Sequence, residues 1–226
     1  MKVIESKKQI GETLGRLQGG GEKVGLVSAM GNLHEGHLSL IRKAREMSDV
    51  VVVLVFVNPL LVGDPAILAS LEATKREDLQ RLEQEDVDLA FLATREDFFR
   101  AGHQTFVRPE RLIQQFHAIE PEKYFTGLAT AYLQILNLFH PTFIFMGQKN
   151  YFDFHLLKRL IRDYHFSTEV VLCPTVRDED GLPYSSFSQF FSAEDRQSCI
   201  RVYQALRQAR QMLTDGELSA GRVTEA

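Results

Sequence analysis

The sequence predicts an α/β protein with a parallel β-sheet that is covered by helices on both faces. Apolar, β-branched runs recur along the chain, and segments with helical periodicity separate them. Such runs are typical of strands that are buried on both faces, which occur mainly in parallel sheets. The length of 226 residues allows one full domain and part of a second.

The alternation becomes regular at residue 24. Residues 24–28 and 50–57 are apolar enough for buried strands, and residues 36–47 between them are apolar on one helical face. Pro59 ends the second strand because a proline has no N–H to donate to a sheet.

The pattern continues to residue 173. Further helices are expected over residues 74–85, 127–139 and 151–164, and further strands over residues 87–93, 142–146 and 169–173. A last helix begins after Ser192, which is a favourable cap because two acidic residues follow in the first turn. This helix predicts the opening of a second unit.

Composition places the chain among ordinary soluble globular proteins, with 44% apolar and 25% charged residues. A net charge of -4 gives no reason to expect nucleic-acid binding. The longest apolar run, residues 50–57, is too short for a bilayer, so no membrane segment is expected. The N-terminus lacks a signal-peptide core, and Cys173 and Cys199 lie in apolar contexts. We therefore expect a cytoplasmic protein with reduced thiols.

The most informative segment lies between the first strand and its helix. Gly31, His34 and His37 fall in or beside this turn, and a helix N-terminus exposes N–H groups that favour phosphate. The three-residue spacing aims both imidazoles in the same direction. A single surface histidine is usually only solvated, but the pair at a strand-to-helix turn favours a nucleoside triphosphate site. Zinc is disfavoured because the metalloprotease pattern places its histidines four residues apart.

Polar residues also follow other predicted strands. Asn58, Gly147 and Thr175 each lie just past a strand end, and open parallel sheets bind ligands beyond the carboxyl ends of their strands. Lys149 can bind a phosphate as a point charge, although a lone lysine at a helix start is more often solvated. We therefore expect one site that is built from several segments.

Two further groups are candidates for phosphate and metal binding. Ser185 and Ser186 can donate to phosphate oxygens, although paired serines are common in loops. Glu77 and Asp78 form no obvious metal cage, and carboxylates on a helix are usually only solvated. A Mg²⁺ ion held mainly by phosphates needs only one or two carboxylates, however.

Taken in order, these segments resemble the pantothenate synthetases, ligases that join pantoate to β-alanine with ATP. The strongest stretches are residues 30–41, 56–59, 127–130, 147–149 and 175–186. That family has a Rossmann-like nucleotide-binding domain with a parallel sheet and a smaller C-terminal domain, and it usually dimerises. The resemblance thus implies a Rossmann-like domain over residues 1–188, the start of a truncated C-terminal domain over residues 189–226, and a homodimer.

The resemblance also implies the site residues. His34, His37 and Lys149 would be catalytic. The implied ATP-binding residues are these three together with Met30, Gly31, Gly147, Asn150, Val176, Ser185 and Ser186. The implied acid-substrate pocket contains Asn58, Leu61, Phe152 and Asp153, and Glu77 and Asp78 match acidic positions that are associated with Mg²⁺.

The chain departs from the family pattern chiefly at the acid pocket. Leu61 stands where the family has a glutamine, and residues 150–153 read Asn-Tyr-Phe-Asp in place of Asp-x-Gln-Gln. Both glutamines that grip pantoate in the family are therefore absent. Residues 123–127 read Lys-Tyr-Phe-Thr-Gly in place of Gly-His-Phe-x-Gly, Phe187 replaces an arginine after the serines, and Gln134 replaces a lysine.

The resemblance implies an ATP-dependent, AMP-forming carboxylate–amine ligase that works through an acyl-adenylate. It would use ATP and Mg²⁺, pantoate or a related acid, and β-alanine or another amine. A less polar acid is an alternative, because Leu61 and Phe152 remove polar groups. Two other classes stay open: a nucleotidylyltransferase that makes no amide, and a catalytically impaired relative that only binds nucleotide.

Overall fold

The computed structural model describes residues 1–62, 64–116 and 121–225, and it divides the chain into two compact units, Met1–Thr175 and Val176–Ala226. The first unit contains a six-stranded sheet in which all neighbouring strands are parallel. Its strands are β1 (Lys2–Ile4), β2 (Val24–Ala29), β3 (Val50–Val55), β4 (Leu89–Leu92), β5 (Phe143–Gly147) and β6 (Glu169–Cys173). The predicted α/β class with a parallel sheet is confirmed.

The strands lie in the order β1-β4-β3-β2-β5-β6. The chain runs from β2 outward through β3 to β4, then crosses to the other side of β2 as β5 and continues to β6. The direction of winding therefore reverses between β2 and β5. Ligands of open α/β sheets bind at such a reversal, beyond the carboxyl ends of the strands, so the topology predicts where the site lies.

Eight helices of the first unit are described. They are α1 (Lys7–Gly19), α2 (Glu35–Met47), α3 (Pro65–Ala73), α4 (Lys75–Gln84), α5 (Arg95–Phe98), α6 (Glu110–Phe116), α7 (Glu122–Phe139) and α8 (Tyr151–Asp163). A short 3-10 turn, Gln148–Asn150, joins β5 to α8.

The sheet separates two apolar clusters, one on each face. Along β3, Val52 and Leu54 belong to the cluster that includes residues of α1, α7 and α8. Val51 and Val53 belong to the other cluster, with residues of α2 and α4. This alternation follows from the two-residue period of a strand. Because all four side chains are 0% exposed, a strand between two helical layers has to be apolar throughout.

Most predicted elements are confirmed to within a few residues, and β6 has the predicted bounds. The largest shift is at α7, which begins at Glu122 rather than at residue 127. Gly127 lies inside this helix, where Leu60 packs against it. A Cβ added at Gly127 would lie 2.7 Å from the Cβ of Leu60, so the packing explains why this position is a glycine. The glycine therefore marks a close approach of two segments, and it does not mark a helix start.

The sequence patterns predict no element before residue 24, whereas β1 and α1 lie there. β1 is only three residues long and pairs at the edge of the sheet, so its pattern is too short to recognise. α1 had a detectable signal, because Ile10 and Leu14 are one turn apart and buried, and the Ser6 side chain caps the helix.

The second unit contains a 3-10 turn (Ser188–Phe190), α9 (Ala193–Thr214) and α10 (Ala220–Glu225). Ser192 caps α9 as predicted, since its hydroxyl accepts a hydrogen bond of 3.1 Å from the N–H of Asp195. Along α9 only Ile200 is buried, while Leu206 and Leu213 are 57% and 54% exposed.

The segment before α9 also belongs to the second unit. Arg196 of α9 forms ion pairs of 2.9 Å with Asp178 and 2.6 Å with Asp180. The guanidinium of Arg177 lies 4.1 Å from the ring centroid of Tyr203. These contacts link residues 177–180 to α9, in agreement with a second unit that begins at Val176. The domain boundary predicted from the sequence, after residue 188, stays a prediction.

The two cysteines are free thiols, as expected. Cys173 is buried at the end of β6, and burial raises the pKa of its thiol. Within the described ranges, no helix has both the length and the apolar character that a bilayer crossing requires.

Candidate functional site

The loop after β2 begins with Met30 and carries the two histidines into α2. Gly31 has a φ of +109° and Asn32 a φ of +50°. Glycine adopts the first of these conformations without strain, whereas a side chain would be strained there. A Cβ added at Gly31 would also lie 3.1 Å from the carbonyl oxygen of Leu71. The turn thus has a structural need for Gly31, and the ATP contact that the resemblance implies for this residue stays a prediction.

Asp78 of α4 fixes this loop. Its Oδ1 accepts a hydrogen bond of 2.7 Å from the N–H of Leu33, and its Oδ2 accepts one of 2.8 Å from the N–H of Asn32. The hydroxyl of Thr74 donates to the same Oδ2 at 2.9 Å. Asp78 is only 3% exposed. The carboxylate therefore satisfies two main-chain donors that the sharp turn leaves without a helical or sheet partner.

The predicted magnesium role of Glu77 and Asp78 stays a prediction. Glu77 is exposed, and both oxygens of Asp78 already accept hydrogen bonds inside the protein. Among the described residues, no three His, Cys, Asp or Glu side chains form a group that could hold a metal ion. The protein groups present do not fit a magnesium site of their own, so any Mg²⁺ would have to arrive with the phosphates of ATP.

His34 and His37 lie together at the start of α2. Their ring centroids are 4.0 Å apart, and the ring planes are tilted by 32°. The main-chain N–H of His34 donates to Nδ1 of His37 at 3.4 Å. In a neutral imidazole with Nδ1 as the acceptor, the hydrogen is on Nε2. The hydrogen-bond network therefore assigns His37 as an Nε2–H donor.

Both imidazoles are neutral at pH 7. Burial lowers the pKa of His34 to about 4, with a further contribution from the charge of Lys149. Burial also lowers the pKa of His37 to about 3, and the neighbouring His34 and Lys149 add to this effect. The two histidines can thus donate hydrogen bonds without carrying charge.

Lys149 supplies positive charge to the same region. It lies in the 3-10 turn after β5, while the histidines follow β2. The residue is exposed, and desolvation of its amino group lowers its pKa. Since its charge acts on both His34 and His37, the three predicted catalytic residues come together where the strand order reverses.

The residues around Lys149 leave space for a ligand. Gly147 ends β5, and among the described residues no atom beyond Gly147 and its two chain neighbours lies within 4 Å of the position that its Cβ would take. Asn150 is exposed at the start of α8. A main chain without a side chain at Gly147 permits a ligand to approach closely.

Arg81 is a further cation beside the site that no sequence pattern singled out. Its guanidinium donates to the carbonyl oxygen of Leu33, and its charge contributes to the low pKa of His34. Arg81 follows Asp78 on α4, so the same helix holds the histidine loop through a carboxylate and through a guanidinium. Only the pairing of α4 with this loop reveals that role.

The turn after β3 contains the predicted acid-pocket residues Asn58 and Leu61. Asn58 is 4% exposed. Its side-chain oxygen accepts a hydrogen bond of 3.0 Å from the N–H of Leu60, and its amide nitrogen donates to the carbonyl oxygen of Gly127 at 3.3 Å. Leu61 is partly buried against the core. Asn58 thus ties the turn to α7, and its contact with a substrate stays a prediction.

Phe152 and Asp153 lie in the first turn of α8. The hydroxyl of Tyr124, on α7, donates to Oδ1 of Asp153 at 2.8 Å. Phe152 packs edge-on against Phe116 at the end of α6, with ring centroids 4.7 Å apart. The first two turns of α7 therefore contact both the Asn58 turn and α8. Tyr124 acquires this significance only in the structure, because its partner is distant in sequence.

Val176, Ser185 and Ser186 belong to the second unit. The carbonyl oxygen of Val176 accepts a hydrogen bond of 3.2 Å from the N–H of Tyr184. The hydroxyl of Ser185 accepts one of 3.3 Å from the N–H of Phe187, and Ser186 is 6% exposed. These contacts stabilise the segment locally, and the predicted ATP contacts of all three residues stay predictions.

Comparison with known proteins gives a consistent result. Residues 2–226 match the family described as pantoate-beta-alanine ligase. A pantothenate synthetase of Thermodesulfovibrio yellowstonii is 34% identical over 217 residues, which are 96% of this chain and 78% of that protein. One of Thermotoga petrophila is 33% identical over 225 residues, or 100% of this chain and 80% of its own length.

Solved structures agree with the sequence comparison. A pantothenate synthetase of Thermus thermophilus superimposes with a TM-score of 0.88 at 32% identity, covering 99% of this chain and 79% of that one. A pantoate-beta-alanine ligase of Francisella tularensis, solved in complex with a beta-gamma ATP and beta-alanine, gives a TM-score of 0.81 at 32% identity, with coverages of 92% and 80%.

Proposed function

Because the chain belongs to the pantoate–β-alanine ligase family, we propose that its ATP site is the crevice beyond β2 and β5. The protein is an ATP-dependent, AMP-forming and amide-forming ligase. The observation that carries the proposed location is the cluster of His34, His37 and Lys149 at the reversal of strand order. Two neutral donors beside an ammonium suit a polyanionic triphosphate.

The reaction proceeds in two steps. A carboxylate oxygen of the acid attacks the α-phosphorus of ATP, so that an O–P bond forms, the bond to the β-phosphate oxygen breaks, and pyrophosphate leaves. The nitrogen of the amine then attacks the carbonyl carbon of the acyl-adenylate. The C–O bond breaks, AMP leaves, and the nitrogen loses a proton to give the amide.

The protein side chains act on this chemistry by positioning and by electrostatics. Nε2–H of His37 donates to a phosphate oxygen, and His34 adds a second imidazole beside it. Lys149 offsets negative charge that develops on the leaving pyrophosphate. Because burial keeps both rings neutral, they hold their protons through the reaction and serve as fixed donors.

The other ATP contacts are proposed from the resemblance to the family. Met30, Gly31, Gly147 and Asn150 would line the nucleotide, and Val176, Ser185 and Ser186 are further ATP-binding residues that the resemblance implies. Mg²⁺ would enter as the MgATP complex, and of the two acidic residues that the resemblance associates with it, only Glu77 is exposed. The F. tularensis relative, solved with a nucleotide and beta-alanine, supports ATP and β-alanine as ligands.

Substrate choice and assembly rest on the same resemblance. The acid is pantoate or a related carboxylic acid, and it occupies the region of Asn58, Leu61, Phe152 and Asp153. The amine is β-alanine or another small amine. The resemblance also leads us to propose a homodimer and a cytoplasmic location. Light scattering of the purified protein measures its molar mass and so tests the homodimer.

A pyrophosphate-release screen tests the function. The protein is incubated with MgATP, β-alanine and a panel of carboxylic acids, and ATP labelled at the α-phosphate traces the products. We expect pyrophosphate, AMP and an amide from at least one acid. A stable nucleotidyl product would instead identify a nucleotidylyltransferase.

Nucleotide binding is measured in parallel by calorimetry with a non-hydrolysable ATP analogue. Binding without pyrophosphate release from any acid would identify an impaired relative and overturn the proposal. A crystal with the analogue should place its phosphates against His37 and Lys149. Phosphates bound elsewhere would refute the proposed location.

A further inference from the structure

Three charged side chains of helix α4 face the segment that carries the histidine pair. Asp78, Arg81 and Glu85, which we call the α4 clamp, are three and four residues apart, so they lie on one side of the helix. On the same side, Leu82 is 0% exposed and belongs to an apolar cluster that also contains Leu33. Apolar packing therefore fixes α4 against the sheet, and the clamp has a rigid support.

The clamp holds the residue before His34 by its main chain. The N–H of Leu33 donates to Oδ1 of Asp78 at 2.7 Å, and its carbonyl oxygen accepts a hydrogen bond from the guanidinium of Arg81. Helix α2 begins at Glu35, so neither group of Leu33 belongs to the hydrogen-bond ladder of that helix. The Leu33 side chain is also buried. Its N–H, its carbonyl group and its side chain thus all have fixed partners.

The clamp also holds the residue after His34. The carboxylate of Glu35 forms an ion pair with Arg42, which lies two turns later on α2. Arg42 binds both carboxylate oxygens of Glu85, through Nε at 2.8 Å and through a terminal nitrogen at 2.5 Å. A two-point contact between a guanidinium and a carboxylate fixes orientation as well as distance. The first residue of α2 is therefore connected to α4 through Arg42.

His34 thus lies between two residues that are both tied to α4. Its main-chain N–H donates to Nδ1 of His37 at 3.4 Å, so a shift of His34 would also disturb the second imidazole. Exposed ion pairs contribute little to stability, and the side chain of Arg42 is 50% exposed. A reacting group that is misplaced by about 1 Å can nevertheless lose about a hundredfold in rate. The value of these contacts is therefore in geometry.

We propose that the α4 clamp fixes the histidine pair for catalysis, and that Arg81 and Glu85 are positioning residues for the ligase reaction. Arg81 acts through the carbonyl group of Leu33, and Glu85 acts through Arg42. Neither residue has to touch the nucleotide. This inference rests on the proposed function, because it assumes that the histidines act on the phosphates of ATP.

The first test replaces Arg81 with methionine, which keeps the length of the side chain and removes its donors. Pyrophosphate release is measured with MgATP, β-alanine and pantoate, or with the most active acid of the panel. We expect Arg81→Met to lower kcat by about ten- to a hundredfold, while the affinity for the ATP analogue changes by less than about threefold. Arg81→Lys retains a donor and should recover most of the rate. Arg76→Met is the matched control, because Arg76 is an exposed arginine of the same helix.

The second test asks whether Glu85 acts through Arg42. Glu85→Gln should lower kcat by about fivefold or more. Arg42→Gln breaks the contacts to both ends of the bridge, so adding Glu85→Gln to it should cause no further loss, as expected for residues in one network. Losses that add would overturn the role given to Glu85. Glu83→Gln is the control, because Glu83 is exposed on the same helix, and it should leave kcat unchanged.

Amide hydrogen exchange measures the clamp without the reaction. In Arg81→Met and in Glu85→Gln, the N–H groups of Leu33 and His34 should exchange about two- to tenfold faster, the equivalent of one lost hydrogen bond. The midpoint of urea denaturation should change only slightly. Unchanged exchange in both variants would show that α4 does not hold this segment and would overturn the inference.

The kinetic outcomes separate the inference from the proposed function. Full kcat in Arg81→Met and Glu85→Gln, with an active unmodified protein, would overturn the inference and leave the ligase function intact. Equal losses of kcat and of nucleotide affinity would show a general structural role and would overturn it too. Absence of pyrophosphate release by the unmodified protein with every acid, despite nucleotide binding, would refute the proposed function and the inference with it.

Discussion

The carboxylate of Asp78 accepts a hydrogen bond of 2.7 Å from the main-chain N–H of Leu33, which lies 45 residues earlier in the chain. Leu33 precedes His34, so this bond determines where the histidine pair begins. The interaction is buried, and it couples helix α4 to the loop after β2. A residue that resembles a metal ligand in the sequence is thus the main support of the proposed phosphate site.

Asp78→Asn should destabilise the protein by about 2 kcal/mol or more. One carboxylate oxygen becomes an NH2 group that cannot accept. If this group faces Leu33, the buried N–H of Leu33 loses its partner, and if it faces Asn32, that N–H keeps only the hydroxyl oxygen of Thr74 at 3.0 Å. Urea denaturation measures the free energy of unfolding. Glu77→Gln is the control, because Glu77 is adjacent and exposed, and we expect a change within about 0.5 kcal/mol. A raised Mg²⁺ requirement in Glu77→Gln would support the predicted metal role.

His37→Asn should lower the rate of pyrophosphate release by about a hundredfold or more, the effect of removing one donor to a developing charge. The asparagine oxygen can still accept from the N–H of His34, while the Nε2–H donor is lost. His37→Gln places an amide N–H near that donor and should recover part of the rate. His165→Asn is the control, since His165 is exposed with a φ of +59° that asparagine tolerates. Equal rates in His37→Asn and the control would remove His37 from the mechanism.

The stability of the protein should fall as the pH decreases from about 6.5 towards 3. Unfolded histidines have a pKa near 6.5, whereas burial holds the pKa of His34 at about 4 and that of His37 at about 3. Within this window the unfolded state binds more protons, so acidification favours unfolding. Above about pH 7.5 the histidines are almost entirely neutral in both states, so they contribute little pH dependence there.

Urea denaturation at several pH values between 7.5 and 4.5 measures this dependence. The His37→Asn variant should show a smaller loss of unfolding free energy over the same range. A variant with the same slope as the unmodified protein would show that His37 titrates normally. The pH profile of pyrophosphate release should also lack an imidazole inflection between pH 6 and pH 8.

Gly127→Ala should destabilise the protein by about 1 to 3 kcal/mol, the typical cost of overpacking. The added Cβ would lie 2.7 Å from the Cβ of Leu60, and the turn of Asn58 would have to move. Gly15→Ala is the control, because no atom of the described residues outside its own stretch of helix lies within 4 Å of its Cβ position, and a helical alanine should stabilise by about 0.5 to 1 kcal/mol. Adding Leu60→Ala to Gly127→Ala should not fully restore the free energy of unfolding, because alanine retains the Cβ atom with which the added Cβ collides.

Acid binding gives a second measurement for the same variant. If the Asn58 turn forms part of the acid pocket, Gly127→Ala should raise KM for the acid more than KM for ATP. Equal effects on both KM values would contradict the placement of this turn at the acid. A stabilised Gly127→Ala protein would show that the contact with Leu60 relaxes easily.

The order of strands and helices could largely be predicted from the sequence, because it depends on local patterns. β3 is apolar at every position since both of its faces are covered, and α2 and α8 show their buried faces as helical periodicity. Exceptions occur where the pattern is short or ambiguous. β1 has only three residues, and Gly127 suggests a helix start although it lies within α7.

The common location of the candidate catalytic residues could also be predicted, because polar groups that follow strand ends share one edge of a parallel sheet. That reasoning places His34, His37 and Lys149 in one region, and their mutual electrostatic effects agree with it. It does not predict the charge state of the imidazoles. Their low pKa values come from burial, which is a property of the packed protein.

Local patterns are enough to predict the α/β class, the alternation of elements and the histidine motif, because periodicity and strand-end chemistry depend only on neighbouring residues. Three properties emerge only in the folded protein: the role of Asp78, the low pKa values of His34 and His37, and the hydrogen bond between Tyr124 and Asp153. Each of these depends on groups brought together from distant parts of the chain. Only the folded arrangement sets the distances, the desolvation and the hydrogen-bond partners that give those residues their chemistry.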